Sequence, residues 1–286
     1  MTTAPAPPAA LAVHSSGRFD RPVDALAASV ARIRRYTRGG RRVVLITGTE
    51  ASHRSGKDMH QVLDANGWEW AHLSGERGAG ECWGTWSTSA LQLVESYTHR
   101  LTEMTWTRSA EYGGGEAPPV TALVLQFEVV GRPYRRTVTV IVVHWPLANT
   151  ERRQEIWKDC ALGLRRLEDQ IRARDPHTAL DVVGDLNRNY RQDADRRLID
   201  HYIAAPLRLV QAWAGSTPVR GGTHGPRSLL DGAVLDRRLL GWSTPWCWLL
   251  PDDDSSDHRP FAHTLRWPLL PRRARRRIRH HLKETT

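Results

Sequence analysis

Two polar side chains set two residues apart at the end of an apolar run, Asp185 and Asn187 in Val182-Val183-Gly184-Asp185-Leu186-Asn187, have the types and spacing to do chemistry. On an extended backbone they point the same way. A carboxylate beside a carboxamide can hold a hard divalent ion or align a water for attack, and the same pair can also close an Asx-type turn. Val140-Ile141-Val142-Val143-His144 likewise delivers a histidine at the end of an apolar stretch, Ser256-Asp257-His258 lies just before another, and Glu50 follows Val43-Val44-Leu45-Ile46. Each has an ordinary reading: a helix cap or solvated turn for Glu50, a satisfied backbone group for His144, a closed loop for Asp257 and His258. Their conjunction is more informative. Four strand ends carry Glu50, His144, Asp185 with Asn187, and Asp257 with His258, and strand-end loops are where layered α/β proteins place their active sites.

The elements that must position these groups follow from periodicity. Residues 43 to 46, 120 to 130, 137 to 145 and 179 to 184 are runs rich in β-branched and aliphatic side chains, as expected of buried strands, and the second and third are joined by Gly131-Arg132-Pro133-Tyr134-Arg135-Arg136 as a hairpin. Val23, Leu26, Val30 and Ile33 recur at helical steps within 22 to 37, and Gly39-Gly40 ends that segment. Asn149-Thr150 caps a helix expected over 151 to 174, whose Ile156, Cys160, Leu164, Leu167 and Ile171 form one stripe. A short strand is expected near 11 to 15, a helix over 193 to 204, and strands near 207 to 213, 229 to 235 and 261 to 265. Residues 51 to 118, rich in Gly and Trp, allow a helix at 58 to 66 and strands between 83 and 107. Strands and helices in this order indicate an α/β sandwich.

The chain has 286 residues, 40% of them hydrophobic and 25% charged, with 22 Gly and 17 Pro, which excludes a fibre or a wholly disordered chain. No apolar run approaches the roughly 20 residues that cross a bilayer, so no membrane span is expected. Residues 1 to 10, rich in Pro and Ala, read as a flexible lead-in without the features of a secretory signal. Residues 11 to 267 read as one domain, and 268 to 286 as a basic tail. Cys82, Cys160 and Cys247 lack any disulfide or metal-binding spacing, so a reducing cytoplasm is the expected compartment. The net charge is +10, of which the six arginines and one lysine of residues 272 to 286, against one glutamate, supply +6. Such a tail suits a polyanion such as nucleic acid; it also suits a solvated solubility tail.

Taken together, Thr49-Glu50, the strand ending in His144, Gly184-Asp185-Leu186-Asn187, Arg227-Ser228-Leu229-Leu230-Asp231 and Ser256-Asp257-His258 resemble, in order, the motifs of the endonuclease/exonuclease/phosphatase superfamily, the group that includes deoxyribonuclease I. Arg153-Gln154 after His144 and Thr223-His224 before Asp231 add to the likeness. The resemblance implies a four-layered sandwich of two facing mixed β-sheets flanked by helices, and metal-dependent hydrolysis of a phosphoester. It implies Mg²⁺ or Mn²⁺ held by Glu50, Asp185 and Asp257, whose mutual repulsion calls for a bound cation. It further implies Asp185 as the group that orients or deprotonates the attacking water, and Asn187 as the one that fixes the water or the phosphate. His258, held by Asp231, would contact the phosphate, and His144 would be a second phosphate contact or a general acid. Asp257 would be a second metal contact or proton acceptor. Where the family ends its first strand in asparagine, this chain reads Val13-His14-Ser15-Ser16-Gly17, with His14 or Ser15 in that place.

Nucleic acid, DNA foremost, is the expected substrate and partner, and no obligate protein partner is expected. Arg188 and Arg191 in Asn187-Arg188-Asn189-Tyr190-Arg191, with Thr223 and His224, are the candidate substrate contacts. A lipid or small-molecule phosphoesterase, with the Trp-rich stretch 68 to 86 as its specificity surface, and a nucleic-acid-binding module with a decayed site are the alternatives.

Overall fold

The β-branched runs fill the interior because their side chains pack well on a pleated surface covered on both faces. In the computed structural model, residues 9–16, 23–50, 67–72, 82–107, 114–132, 135–215, 221–225, 227–240, 246–251, 256, 258–271, 273 and 275 are described. The helix expected over 58 to 66, the centre of the hairpin turn at 133–134, Asp257, and most of the lead-in and tail lie outside the described residues.

One sheet has seven strands. Its main path runs from β12 (Cys247–Leu249) through β13 (Phe261–Arg266), β1 (Ala9–His14), β3 (Arg41–Gly48) and β5 (Trp83–Ser87) to β4 (Trp68–His72), and β2 (Thr37–Arg38) pairs with β3 off that path. The second, six-stranded sheet runs from β10 (Val210–Gln211) through β11 (Asp231–Leu235), β9 (Ala179–Asp185), β8 (Val138–His144) and β7 (Thr121–Val129) to β6 (Leu91–Arg100). Both are mixed: β1 runs parallel to β3 and β8 parallel to β9, the other neighbours being antiparallel. Helix α1 (Val23–Arg34) buries Leu26, Val30 and Ile33 with Leu11, Val13, Val43 and Ile46 of the first sheet. Helix α2 (Glu151–Arg174) starts at the expected residue, with the Thr150 side chain accepting from Arg153 N, and buries its expected stripe among the valines of β8 and β9. The architecture is the expected four-layered sandwich.

Two differences from expectation have physical causes. Strand β1 begins at Ala9, inside the expected lead-in, because β13 offers Arg266 and Leu265 as ladder partners for Ala9 and Ala10. Helix α3 (Asp193–Ile199) continues through a wider turn, Asp200–Ala204, into Ala205–Leu207, and stops where Arg208 takes φ 56. The strands allowed between 83 and 107 are present as β5, which buries Trp83 and Trp86, and β6, which is mostly half-buried or exposed.

The two sheets are joined by a buried hydrogen bond between His263 Nε2 of β13 and Asp181 Oδ2 of β9 at 2.9 Å, with both side chains at most 1% exposed. Removing one partner of such a bond leaves a buried polar group unsatisfied. His263→Ala is therefore expected to lower unfolding free energy by about 3 kcal/mol, measured by urea denaturation; a loss below about 1 kcal/mol would contradict a role for this bond in holding the sheets together.

Candidate active site

Strand register brings the candidate residues together. His144 ends β8 directly beside Asp185 at the end of parallel β9, and Asp231 opens antiparallel β11 on the other side of Asp185. Residues in register share a face, so this sheet contributes a row of His144, Asp185 and Asp231. In the facing sheet, His14 ends β1 opposite Phe261 of β13 and alongside Thr47 of β3. Glu50 follows β3, and His258 precedes β13. The two rows meet at the same end of the sandwich. His144 Nε2 lies 3.9 Å from Glu50 Oε1 and 3.9 Å from Asp185 Oδ2.

The turn after β9 shows why the sequence reads as it does. Gly184 has φ 151, and a Cβ there would sit 1.9 Å from the Val143 carbonyl oxygen, so only glycine lets β9 lie this close to β8. Asp185 and Asn187 do not project side by side as an extended backbone would have them. Asn187 adopts φ 51, its N–H donates to Asp185 Oδ1 at 2.6 Å, and its side-chain amide donates to the Trp145 carbonyl at 2.7 Å. The Asx-type turn and the site are therefore one object: Asn187 holds Asp185 and ties β9 to the residue after His144. Trp157 of α2 supports the same turn, its indole donating to the Leu186 carbonyl at 2.8 Å. Glu50 also has a positive φ, 60, a conformation that costs energy in a non-glycine residue and is often found at functional sites.

Asp231 and His258 are in contact, His258 Nδ1 to Asp231 Oδ2 at 2.7 Å, both buried. Burial works against the charge on His258, but the charge and hydrogen bond of Asp231, with Asp185 and Glu50 beyond, outweigh it and raise its pKa to about 10. Burial opposes ionisation of Asp231 as well, and the His258 imidazolium and its hydrogen bond more than offset this, leaving the carboxyl well below the usual range. Asp185 is shifted the other way. Burial and the neighbouring Asp231 raise its pKa to about 6, against the pull of His144 and His258.

Among the described residues, ligand atoms of Glu50, Asp185 and His258 lie within 4.8 Å of one another. Two carboxylates, one of them held back from ionising by burial and by Asp231, form a donor set that fits a hard divalent ion. His258 fits as a ligand less well, because Asp231, Asp185 and Glu50 favour its protonated form, in which Nε2 carries a proton.

The expected substrate contacts divide. Thr223 is fully buried and its hydroxyl accepts from Leu230 N and Asp231 N at 2.9 and 3.1 Å, so it anchors the start of β11 instead of facing a substrate. Arg188 pairs with Asp195 at 3.2 Å and lies 4.9 Å over the Trp157 ring. His224 stays at the site, its ring 4.8 Å from that of His258. Arg191 is exposed and donates to the Gly221 carbonyl. Asp257 lies outside the described residues, but its neighbour Ser256 donates to the Ser16 carbonyl at 2.9 Å and accepts from His258 N at 3.0 Å, linking the expected triplet to β1. Sequence reasoning missed Ser16, whose hydroxyl donates to Asp231 Oδ1 at 2.6 Å. Its only signal was adjacency to His14 and Ser15.

No family sequence model matches the chain, and no curated protein sequence matches it. Solved structures do share its fold. An endonuclease/exonuclease/phosphatase family protein from Bacteroides thetaiotaomicron superposes with a TM-score of 0.64 at 13% identity, covering 92% of this chain and 96% of that one. A mannosyl-6-phosphatase from the same organism gives 0.62 at 12% identity, covering 88% and 98%. D. rerio TDP2 complexed with single strand DNA product gives 0.58 at 13% identity, covering 90% and 98%. The endonuclease/exonuclease/phosphatase fold that the motifs implied is thus the fold of this protein.

The Asp231–His258 pair makes stability depend on pH with a definite sign. The folded pKa of His258, about 10, lies above its ordinary 6.5, so its contribution is complete below about pH 6.5 and fades as pH rises through 10. Asp231 is depressed from 3.8, so its contribution is present above that pH and fades in stronger acid. Asp231→Asn, measured by urea denaturation in chelator, is expected to lose about 3 kcal/mol near pH 6 and progressively less toward pH 10. A deficit independent of pH would show that the two groups do not share a charge.

Proposed function

We propose that this chain is a divalent-metal-dependent phosphodiesterase that hydrolyses nucleic acid, DNA foremost, in a reducing cytoplasm. The observation that carries the reading is the meeting of Glu50, Asp185 and His258 within 4.8 Å at the joint end of the two sheets, with His144 3.9 Å from both carboxylates. Glu50 and Asp185, with Asp257 as the further expected ligand, are the residues that would hold Mg²⁺ or Mn²⁺. A divalent ion there supplies neutralisation of phosphate charge and of the charge growing on the leaving oxygen.

The chain's own residues do the rest. Asp185, fixed by the Asn187 N–H, orients the attacking water and takes one of its protons as the hydroxyl adds to phosphorus. The opposite P–O bond breaks in line, and the leaving oxygen takes a proton from His144. His258 donates from Nε2 to a non-bridging phosphate oxygen, its Nδ1 proton remaining with Asp231. Asp231 accepts no proton in this sequence; it holds the ring.

The substrate class is supported by charge. The net charge is +10, and exposed Arg191 reaches the loop that carries His224. D. rerio TDP2, which has this fold, is complexed with a single strand DNA product. An apolar surface in the Trp-rich stretch is less supported, because Trp83 and Trp86 are core residues at 1% exposure. The three cysteines are buried and form no disulfide among the described residues, as suits a reducing compartment.

Purified protein incubated with plasmid DNA, single-stranded DNA, RNA, sphingomyelin, inositol phosphates and a sugar phosphate, with Mg²⁺ or Mn²⁺ and with chelator, tests the reading. Metal-dependent DNA cleavage is expected, reduced by about 100-fold or more in Asp185→Ala and His258→Ala. Cleavage of a lipid or sugar phosphate without DNA nicking overturns the substrate, and salt-sensitive DNA binding without any turnover overturns the enzyme. The tail leaves from the far end of β13, whose six residues span about 20 Å from the site. Deleting residues 272 to 286 is therefore expected to weaken DNA affinity and flatten its dependence on salt while turnover on saturating DNA stays nearly intact. An unchanged salt slope would remove the tail from DNA binding.

A further inference from the structure

Asp231 is held at both carboxylate oxygens, and only one of the two partners takes part in the reaction described above. Oδ2 faces His258 Nδ1, and Oδ1 accepts from Ser16 Oγ at 2.6 Å. A hydroxyl has one proton. With that proton given to Asp231, the other neighbours of Ser16 Oγ must donate to it: Thr49 Oγ1 at 2.7 Å and His14 Nε2 at 3.1 Å. His14 therefore carries its proton on Nε2, and its Nδ1 accepts from Thr47 Oγ1 at 3.0 Å. The hydrogen bonds run in one direction, from Thr47 through His14 and Ser16 to Asp231, where they meet the donor from His258. Every member is at most 4% exposed, so no bulk water competes. Burial also lowers the His14 pKa to about 4, which keeps this ring neutral although its Nε2 is 3.7 Å from Asp231.

We propose that Ser16 and His14 are positioning residues: together they lock the Asp231 carboxylate in the plane that fixes His258 Nδ1 and turns His258 Nε2 toward the scissile phosphate. The effect on rate rests on the phosphodiesterase reading; the effect on His258 does not. A carboxylate bonded at one oxygen can swing about its χ2 torsion, and the ring it holds swings with it. Bonded at both oxygens in a closed interior, it cannot. The relay also gives the first strand a function in a chain that lacks an asparagine at its end. The hydrogen-bond chain joins β1 and β3 of one sheet to β11 of the other and ends on the group that contacts substrate.

The test uses the whole protein, labelled with ¹⁵N-histidine and kept in chelator, with the His258 Nδ1–H resonance assigned by its loss in His258→Gln. Ser16→Ala, which removes the Oδ1 donor, is expected to move or broaden this resonance, and Ser16→Thr to retain it. His14→Gln places an amide N–H where Nε2 was and is expected to behave as the native protein. His14→Asn, whose amide reaches only to the Nδ1 position, is expected to behave as Ser16→Ala. With metal and DNA, Ser16→Ala and His14→Asn should lose about 10- to 100-fold in kcat with little change in KM. A folded Ser16→Ala protein with an unchanged His258 resonance overturns the proposal, as does identical behaviour of His14→Gln and His14→Asn. Should Ser16→Ala not fold, the His14 pair decides. An inactive native protein whose resonances respond as expected would sink the phosphodiesterase reading and leave the relay standing.

Discussion

Repulsion between carboxylates is the constraint around which this end of the molecule is organised. Asp185 and Asp231 stand directly opposite each other on neighbouring strands, both at most 2% exposed, and Glu50 approaches from the other sheet. Like charges so placed destabilise a sheet and raise one another's pKa. The structure answers with one imidazolium, His258, given to Asp231, and with a second histidine, His144, between Glu50 and Asp185. Asp185 is left with its pKa displaced upward to about 6. A group in that state binds a cation readily, because the ion removes the penalty that burial and its neighbour impose. A cation bound there would therefore relieve a penalty that the protein alone already carries.

Much of this was legible in the sequence, for reasons that can be named. Buried parallel strands are continuous apolar runs, so β3, β8 and β9 announced themselves, and the polar residue that ends each run marked the site. The long amphipathic α2 declared both its cap and its stripe. What was not legible depended on distant partners. Whether Asp185 and Asn187 point the same way is decided by the left-handed turn at Asn187, which needs the Trp145 carbonyl as acceptor. The bonds of Thr223 and Arg188 are set by Asp231 and Trp157, partners eight and thirty-one positions away in a chain that folds them back. Ser16 is a plain serine until a strand 215 residues later brings Asp231 to its hydroxyl.

The same fold is found in a mannosyl-6-phosphatase and in a protein complexed with a single strand DNA product, so the sandwich alone does not choose a substrate. Among the described residues of the loops around the strand ends, Arg191 is tied to the Gly221 carbonyl, Asn189 to the Leu229 N–H and Ser256 to the Ser16 carbonyl.

The pairing of β1 with β13 sets Ala9 against Arg266. A ribosome making this chain must therefore reach β13 before the first strand can find its antiparallel neighbour, and closing so large a loop is entropically slow. His14 and Ser16 are made early and His258 more than two hundred residues later, and they meet only across that seam. Nascent chains that have not yet passed β13 thus lack the assembled centre, and whatever chemistry it performs is withheld until that strand has been made.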